Sequence, residues 1–347
     1  MREADKRQPF SAALALQKKA YSLEENRVEI NNVAVIGAGT MGHALAQVFA
    51  LAGLQVALTD DDAEVLGTAI QRIQANLETC VKHSSVDKDR AASVPSRITL
   101  PSNLADAVSE ADFIVEAVYE DLDVKHEVLR QLEEHCPAHA VITSTTSGYR
   151  VRDMAVALSH PQRFLVTHYW DPPYIIPVVE VVPGEHTSAE ALETTMTLLE
   201  AVGIYPALVK KDVPGFVGNR LQHALRREAI AIVEQGIASP EDVDLITRLS
   251  FGLRLPIVGL LETIDIGGLD LTLAIHTYLL RELDRSTEPQ QLIQDKVARG
   301  ESGAKAGKGF YDWPRGRAEK VIRRRDETLL EMVEWLRARG FLPTPSD

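Results

Sequence analysis

The chain has 347 residues, of which 45% are apolar and 25% are charged, and this composition excludes a fibrous or largely disordered protein. Its length predicts two domains. The 37 Lys and Arg residues against 50 Asp and Glu residues leave a formal net charge of −13, so the surface repels phosphate backbones and anionic lipid. We therefore expect a small-molecule substrate, and neither nucleic acid nor a membrane as a partner.

Residues 1–28 are predicted to be an N-terminal extension. Their apolar patch at 10–16 lacks the small-residue cleavage site of a signal peptide. No apolar run in the chain reaches the roughly 18 residues that indicate a membrane span. Cys80 and Cys136 lack the CxxC spacing of a zinc or redox site. These features predict a cytoplasmic protein without a metal site.

The segment 29–213 alternates short β-branched runs with longer helical stretches. The predicted strands are 33–36, 55–59, 113–115, 140–144, 164–167 and 178–182, and the first predicted helices are 40–51 and 63–79. Strands that alternate with helices indicate βαβ units and a mostly parallel sheet. We therefore predict an α/β fold, a doubly wound Rossmann-type sheet, for this segment.

After the pair Pro214-Gly215 the strand signals nearly vanish. The predicted helices in this part are 216–235, 240–250, 270–283 and 318–337. Pro240 stands at the first helical position of the second of them, where its missing N–H costs nothing. Residues 214–347 are therefore predicted to form a second, all-helical domain.

The motif GxGxxG, formed by Gly37, Gly39 and Gly42 with Thr40 and Met41 between them, follows the first apolar strand and begins a helix. In this context the first glycine permits the tight turn, the second lets a pyrophosphate approach the backbone, and the third lets helix and sheet pack closely. The N–H groups at the start of the helix attract phosphate. These five residues are predicted to bind a dinucleotide.

Asp60 ends the second predicted strand, where an acidic side chain accepts hydrogen bonds from the adenosine ribose. A carboxylate at this point repels a 2′-phosphate, so NAD is favoured over NADP as the cofactor. The alternative is a glycine-rich turn beside a solvated acidic loop, with no nucleotide bound.

His168 directly follows the predicted strand 164–167, and Glu180 lies within the next predicted strand, 178–182, with a turn between them. A carboxylate within an apolar strand is costly unless it is paired. A histidine paired with a carboxylate suits alcohol oxidation, because the imidazole can take the hydroxyl proton while the carboxylate orients the ring. The alternative is a core histidine with a glutamate that faces water.

Several segments in the right order resemble the 3-hydroxyacyl-CoA dehydrogenase family. They are GAGTMG at 37–42, STTS at 144–147, HYWDPP at 168–173, VEVV at 179–182, PGFVGNR at 214–220 and GKGFY at 307–311. The resemblance covers about residues 30–313. It implies an NAD-binding Rossmann domain, a helical domain that forms a homodimer, and a cleft between the two.

The resemblance also implies roles for individual residues. His168 would be the general base with Glu180 as its partner, and Ser147 and Asn219 would hydrogen-bond the reacting oxygen. Glu120 and Lys125 match the family's cofactor-side segment. From the residues alone, Ser147 could instead cap a helix, and Asn219 could make a plain hydrogen bond between the domains.

Three departures from the family pattern bear on the substrate, and the first is the replacement of two asparagines. Asp171 stands where the family usually has Asn, and Thr145 replaces Asn beside Ser147. The segment around Arg254 is more similar to the branch that contains lambda-crystallin, L-gulonate 3-dehydrogenase and L-carnitine dehydrogenase, whose members oxidise free hydroxy acids. An arginine can bind a carboxylate with two hydrogen bonds. Arg254 and Asp171 are therefore predicted to bind substrate.

The predicted helix 63–79 is the third departure, since it carries one basic residue, Arg72, where acyl-CoA enzymes are rich in lysine. We therefore favour NAD-dependent oxidation of the 3-hydroxyl of a small free hydroxy acid to a 3-oxo group. Three alternatives remain open: a 3-hydroxyacyl-CoA dehydrogenase proper, an aldehyde-oxidising variant, and a non-catalytic NAD-binding structural protein of the lambda-crystallin type.

Overall fold

The computed structural model describes residues 30–342, so the predicted extension at 1–28 lies outside the described residues. The strands are β1 (Asn32–Ile36), β2 (Gln55–Thr59), β3 (Ile98–Thr99), β4 (Phe113–Glu116), β5 (Val141–Ser144), β6 (Phe164–Tyr169), β7 (Val178–Pro183) and β8 (Tyr205–Leu208). They form one sheet with the order β3-β2-β1-β4-β5-β6-β7-β8. The chain therefore builds outward from β1 in one direction and then in the other, as a doubly wound fold does.

Neighbouring strands run parallel except for β6 and β7, which pair antiparallel. β1 lies between β2 and β4, where the direction of winding reverses. In an open α/β sheet, ligands bind outside the carboxyl ends of the strands at this reversal. The fold therefore places a ligand site beyond Ile36, at the beginning of the GxGxxG motif.

Helices cover both faces of the sheet. They are α1 (Thr40–Leu51), α2 (Ala63–Gly67), α3 (Ala69–Lys82), α4 (Lys88–Ser93), α5 (Leu104–Val108), α6 (Leu122–His135), α7 (Val151–Ala155) and α8 (Ala189–Ala201). The single helix predicted for 63–79 is divided at Thr68, whose hydroxyl donates to the Val65 carbonyl oxygen at 3.1 Å. A threonine that bonds its own backbone in this way competes with helix continuation.

Two hydrophobic cores sandwich the sheet, because successive side chains of a strand point to opposite faces. Val33 and Val35 of β1 belong to one core, and Ala34 and Ile36 belong to the other. Burial on both faces explains why β1 is a continuous apolar run, as the sequence predicts.

A helical domain follows the sheet. Its helices are α9 (Gly218–Glu234), α10 (Pro240–Leu249), α11 (Phe251–Arg254), α12 (Leu260–Gly267), α13 (Leu269–Leu279), α14 (Gln291–Ala298) and α15 (Arg317–Ala338). The fold class is as predicted, while the division of the chain at residue 213 stays a prediction. Within residues 30–342, no helix combines the length and the apolar character that a bilayer crossing requires.

Four short elements are not apparent from the sequence. β3 has two residues, and β8 contains Pro206, which suits its position at the edge of the sheet. The helices α12 and α14 have eight residues each, too few for a clear helical period.

Candidate active site

The GxGxxG turn has the shape that a dinucleotide requires. Gly37 has a φ of +101°, and a Cβ there would lie 2.5 Å from the Ala117 carbonyl oxygen. A Cβ on Gly42 would lie 1.7 Å from the Gly37 carbonyl oxygen, whereas a Cβ on Gly39 would meet nothing within 4 Å. The first and third glycines are therefore needed for packing. The second faces open space, where a pyrophosphate fits against the backbone.

Asp60 lies directly beside this turn, at the end of β2. Its Oδ2 accepts a hydrogen bond from the Ala38 backbone N–H at 2.6 Å, and its Oδ1 accepts one from the Asp62 N–H at 2.9 Å. The carboxylate is thus held at the edge of the glycine turn, the position predicted for recognition of the adenosine ribose. The residues present at this turn therefore fit NAD.

His168 and Glu180 face each other across β6 and β7, where they are register partners. The His168 Nδ1 and the Glu180 Oε2 lie 2.8 Å apart, and both side chains are buried. An ionised carboxylate only accepts hydrogen bonds, so Nδ1 carries the hydrogen. In the neutral ring this leaves the Nε2 lone pair free to take a proton.

The second oxygen of Glu180 is held by the start of α9. The backbone N–H groups of Val217 and Gly218 donate to Oε1 at 2.8 and 2.9 Å. Burial alone raises the pKa of Glu180, but the hydrogen bonds from His168 and from these two amides outweigh it and lower the pKa below its usual value. Glu180 is therefore ionised and fixed in direction.

Two aromatic rings enclose the imidazole of His168. The ring centroid of Trp170 lies 5.1 Å from it and that of Phe216 lies 5.6 Å from it. Phe216 has a φ of +50°, a strained conformation for a bulky residue. A Cβ on Gly218 would lie 2.3 Å from the Trp170 ring. The start of α9 therefore packs directly on the His–Glu pair.

Ser147 and Asn219 also meet in the structure. The Asn219 Nδ2 donates to the Ser147 carbonyl oxygen at 2.8 Å, which joins the end of β5 to α9. Ser147 is not a helix cap, because α7 begins at Val151 with Arg150 before it. Asn219 therefore makes a hydrogen bond between the two parts of the chain, which was the alternative to a substrate role. Its role toward a substrate stays a prediction.

Glu120 connects the Ser147 loop to Lys125, on the side of the glycine turn. Its Oε1 accepts from the Thr146 hydroxyl at 2.6 Å and from the Ser147 N–H at 3.1 Å. Its Oε2 lies 3.2 Å from the Lys125 Nζ. Lys125 is fully buried and also lies 2.7 Å from Glu116 at the end of β4. A continuous chain of contacts therefore runs from His168 to the base of the glycine turn.

The two predicted substrate residues lie outside this chain of contacts. Arg254 ends α11 and is exposed, and its side chain makes no hydrogen bond or ion pair within residues 30–342. Asp171 lies 3.8 Å from Arg325 of α15, and both side chains are about half exposed. Their roles toward a substrate stay predictions.

Several residues of the site were not among those predicted from the sequence. Glu116 stands at the end of an apolar strand and could have been suspected as a buried carboxylate in need of a partner. The two amides that bind Glu180 and the guanidinium of Arg72, which bonds to the glycine turn, could be located only in three dimensions. Within the part of the chain that the structure describes, no cluster of three or more His, Cys, Asp or Glu residues could hold a metal ion.

Two known families together match most of the residues that the structure describes. The family described as "3-hydroxyacyl-CoA dehydrogenase, NAD binding domain" matches residues 32–213. The family described as "3-hydroxyacyl-CoA dehydrogenase, C-terminal domain" matches residues 215–313. Both parts of the chain therefore find their counterpart in the same family, in the same order.

Individual relatives differ in what they act on. A 5-formyl-3-hydroxy-2-methylpyridine 4-carboxylate 5-dehydrogenase from Mesorhizobium japonicum is 34% identical over 285 residues, 81% of this chain and 90% of the relative. A solved structure of an enzyme with that activity has a TM-score of 0.83 at 29% identity, covering 89% of this chain and 99% of the other.

Two further relatives carry hydroxy-group activities in their names. The L-carnitine dehydrogenase of the same organism is 35% identical over 243 residues, 69% of this chain and 65% of the relative. A probable 3-hydroxybutyryl-CoA dehydrogenase from Bacillus subtilis is 34% identical over 287 residues, 82% of this chain and 98% of the relative. The relatives thus include enzymes named for a free hydroxy compound and for a CoA thioester.

Proposed function

Because the chain belongs to the 3-hydroxyacyl-CoA dehydrogenase family and is an NAD-dependent oxidoreductase, we propose that it oxidises the 3-hydroxyl of a small free hydroxy acid to a 3-oxo group. The observation that carries the proposal is the buried hydrogen bond between His168 and the ionised Glu180. A free imidazole Nε2 beside the nucleotide-binding edge of the sheet is a base suited to a hydroxyl proton.

The His–Glu pair performs the proton part of this reaction. The Nε2 of His168 takes the proton of the substrate hydroxyl while the C–H hydrogen leaves as a hydride, and the products are the 3-oxo compound, NADH and one proton. NAD, when bound, supplies the hydride acceptor. The Glu180 carboxylate stabilises the imidazolium that forms and keeps the ring in one orientation. Trp170 and Phe216 pack against the imidazole, and both side chains of the pair are buried.

Ser147 and Asn219 are proposed to bind the reacting oxygen. The hydroxyl of Ser147 makes no hydrogen bond within the described residues, so it is available to a substrate. The Asn219 amide holds the Ser147 loop through its carbonyl oxygen, and its second N–H remains free as a donor. Donors at this point stabilise the negative charge that develops on the oxygen.

The choice of a free acid over a thioester depends on Arg254. Its guanidinium is exposed and has no protein partner among the described residues, so it is available to a substrate carboxylate. Arg72 is the one basic residue of α2 and α3 before Lys82, and its guanidinium is already bonded to backbone carbonyl oxygens. This face of the protein therefore offers little for the phosphates of coenzyme A.

Arg254→Met is expected to raise KM for a free 3-hydroxy acid by about tenfold or more, because a hydrogen bond to a charged group contributes roughly 1.5–3 kcal/mol. KM for 3-hydroxybutyryl-CoA is expected to stay nearly unchanged. Initial rates of NADH formation with each substrate measure both values. Arg248→Met, in the neighbouring α10, is the control and should affect neither. A larger effect on the thioester would contradict the free-acid proposal.

A homodimer through the helical domain is proposed from the exposure of its apolar side chains. None of the residues of α10 to α14 is buried in the single chain. Leu261, Ile266 and Leu273 are at least 70% exposed. Apolar surface of this extent on a soluble protein marks an interface, and a second copy of the chain covers it in our proposal.

Leu261→Asp is expected to weaken the dimer by about a hundredfold, because burial of an unpaired carboxylate at an interface costs several kcal/mol. Light scattering over a series of protein concentrations measures the dissociation constant. Val156→Asp is the matched control, since Val156 is equally exposed, at 76%, but lies beside α7. A wild-type chain that stays monomeric at micromolar concentration would overturn the dimer.

Aldehyde oxidation is a second candidate, favoured by the Mesorhizobium relative, whose name places the oxidised group at a formyl position. An aldehyde hydrate carries a hydroxyl and a hydrogen on one carbon, as a secondary alcohol does. His168 could therefore take its proton in the same way, with water as co-reactant and a carboxylate as product. NADH formation with an aldehyde but with no 3-hydroxy compound would favour this candidate.

A further inference from the structure

Arg72 of α3 lies behind the glycine turn, outside the GxGxxG motif. Its Nη2 donates to the carbonyl oxygens of Ala38 at 2.7 Å and Val65 at 2.9 Å. Its Nη1 lies 3.4 Å from the Gly39 carbonyl oxygen. One guanidinium therefore bonds two consecutive carbonyls of the turn that receives the cofactor.

The direction of these carbonyls determines where the turn presents its donors. In a trans peptide the C=O and the following N–H point to opposite sides. With the Ala38 and Gly39 oxygens held toward Arg72, the N–H groups of Gly39 and Thr40 point to the other side. A Cβ on Gly39 would meet nothing within 4 Å, so the space beside the turn is open to a pyrophosphate.

His43 reinforces the same arrangement. Its Nδ1 lies 2.6 Å from the Gly39 carbonyl oxygen, and its Nε2 lies 3.5 Å from the Asn76 side-chain nitrogen. Burial lowers the pKa of His43, and the charge of Arg72 lowers it as well. The lowered pKa favours the neutral ring, and the Arg72 Nη1 lies 3.2 Å from the same Nδ1. Of these two side chains that contact the turn, Arg72 therefore supplies the positive charge.

We infer that Arg72 is a positioning residue for the cofactor: it orients the glycine turn from behind and adds positive charge at the phosphate end of α1. The inference rests on NAD binding and is independent of which substrate is oxidised. This role also explains why residues 63–79 contain one basic residue, Arg72. Asp60 holds the N–H side of Ala38, so the turn is fixed from both sides.

The test is the dissociation constant for NAD, measured by titration calorimetry without substrate. Arg72→Met is expected to raise it about tenfold to a hundredfold, because hydrogen bonds from a charged donor are lost. ADP-ribose, which carries the same pyrophosphate, should lose affinity by the same factor. The value of kcat at saturating NAD should stay within about twofold, since the loss falls on binding alone.

Arg72→Lys keeps the charge but loses the fork of donors, so it should fold normally and bind NAD about threefold to tenfold more weakly. Lys82→Met, at the other end of α3, is the matched control and should bind as the wild type does. Wild-type affinity in Arg72→Lys would overturn the inference. So would an Arg72→Met protein with a lowered Tm and an unchanged dissociation constant, because that pattern belongs to a merely structural arginine.

Discussion

His168→Gln is expected to lower kcat by about a thousandfold or more, because a positioned general base contributes roughly 10²–10⁴ to the rate. Glutamine can still donate to Glu180 in place of the Nδ1–H, so the buried carboxylate keeps a partner and the fold should survive. It offers no basic nitrogen for the substrate proton. The dissociation constant for NAD should be nearly unchanged, since His168 lies on β6 and the glycine turn follows β1.

Steady-state rates of NADH formation and a calorimetric NAD titration check the two halves of this prediction. His160→Gln serves as the control, because His160 is a surface histidine that also contacts a carboxylate, that of Glu133 at 3.2 Å. The control should keep wild-type turnover. Wild-type turnover in His168→Gln would remove His168 from the mechanism.

Glu180→Gln is expected to lower kcat by about 10²–10⁴, the range seen when a histidine base loses the partner that fixes its tautomer. One glutamine oxygen cannot replace both carboxylate oxygens. If it accepts from the amides of Val217 and Gly218, its NH₂ faces His168, and Nδ1 must then accept. The proton moves to Nε2, and the free base is lost.

The difference in stability between the wild type and Glu180→Gln should also depend on pH. The folded protein lowers the pKa of Glu180, so the ionised carboxylate stabilises the wild type at pH values above the ordinary glutamate pKa. This contribution is lost as the pH falls through the lowered value. The difference in Tm between wild type and Glu180→Gln should therefore shrink in acid.

A measurement of Tm from neutral to acidic pH tests this dependence, with Glu185→Gln as an exposed control. The control should follow the wild type throughout. A Tm difference between wild type and Glu180→Gln that does not change with pH, together with wild-type kcat in the variant, would contradict the paired and ionised state of Glu180.

The sheet was predictable because its strands carry a strong local signal. β1 is apolar at every buried position and is followed by Gly37, which has a positive φ, so both its burial and its turn are apparent in the sequence. The break at Thr68 was not predictable, because the apolar spacing continues across it. The helical domain was predicted in class but not in detail, since its short helices bury little within one chain.

The candidate site was likewise predictable only in part. The register of His168 and Glu180 follows from an antiparallel pair joined by a turn, so their contact could be expected. The amides of Val217 and Gly218 could not, because backbone groups look the same at every position. The position of Arg72 behind the turn depends on how α3 packs against α1, which is a tertiary contact. The residues next to Arg72 in the sequence do not indicate that it lies behind the turn.

The decisive measurement for the proposed reaction is NADH formation by the purified protein with free 3-hydroxy acids, including L-carnitine and L-gulonate, beside 3-hydroxybutyryl-CoA. Turnover is expected with a free acid, with one 3-oxo product for each NADH formed. Turnover with the thioester alone would keep the His–Glu mechanism and contradict the free-acid substrate. No NADH with any 3-hydroxy compound would contradict the proposed reaction itself.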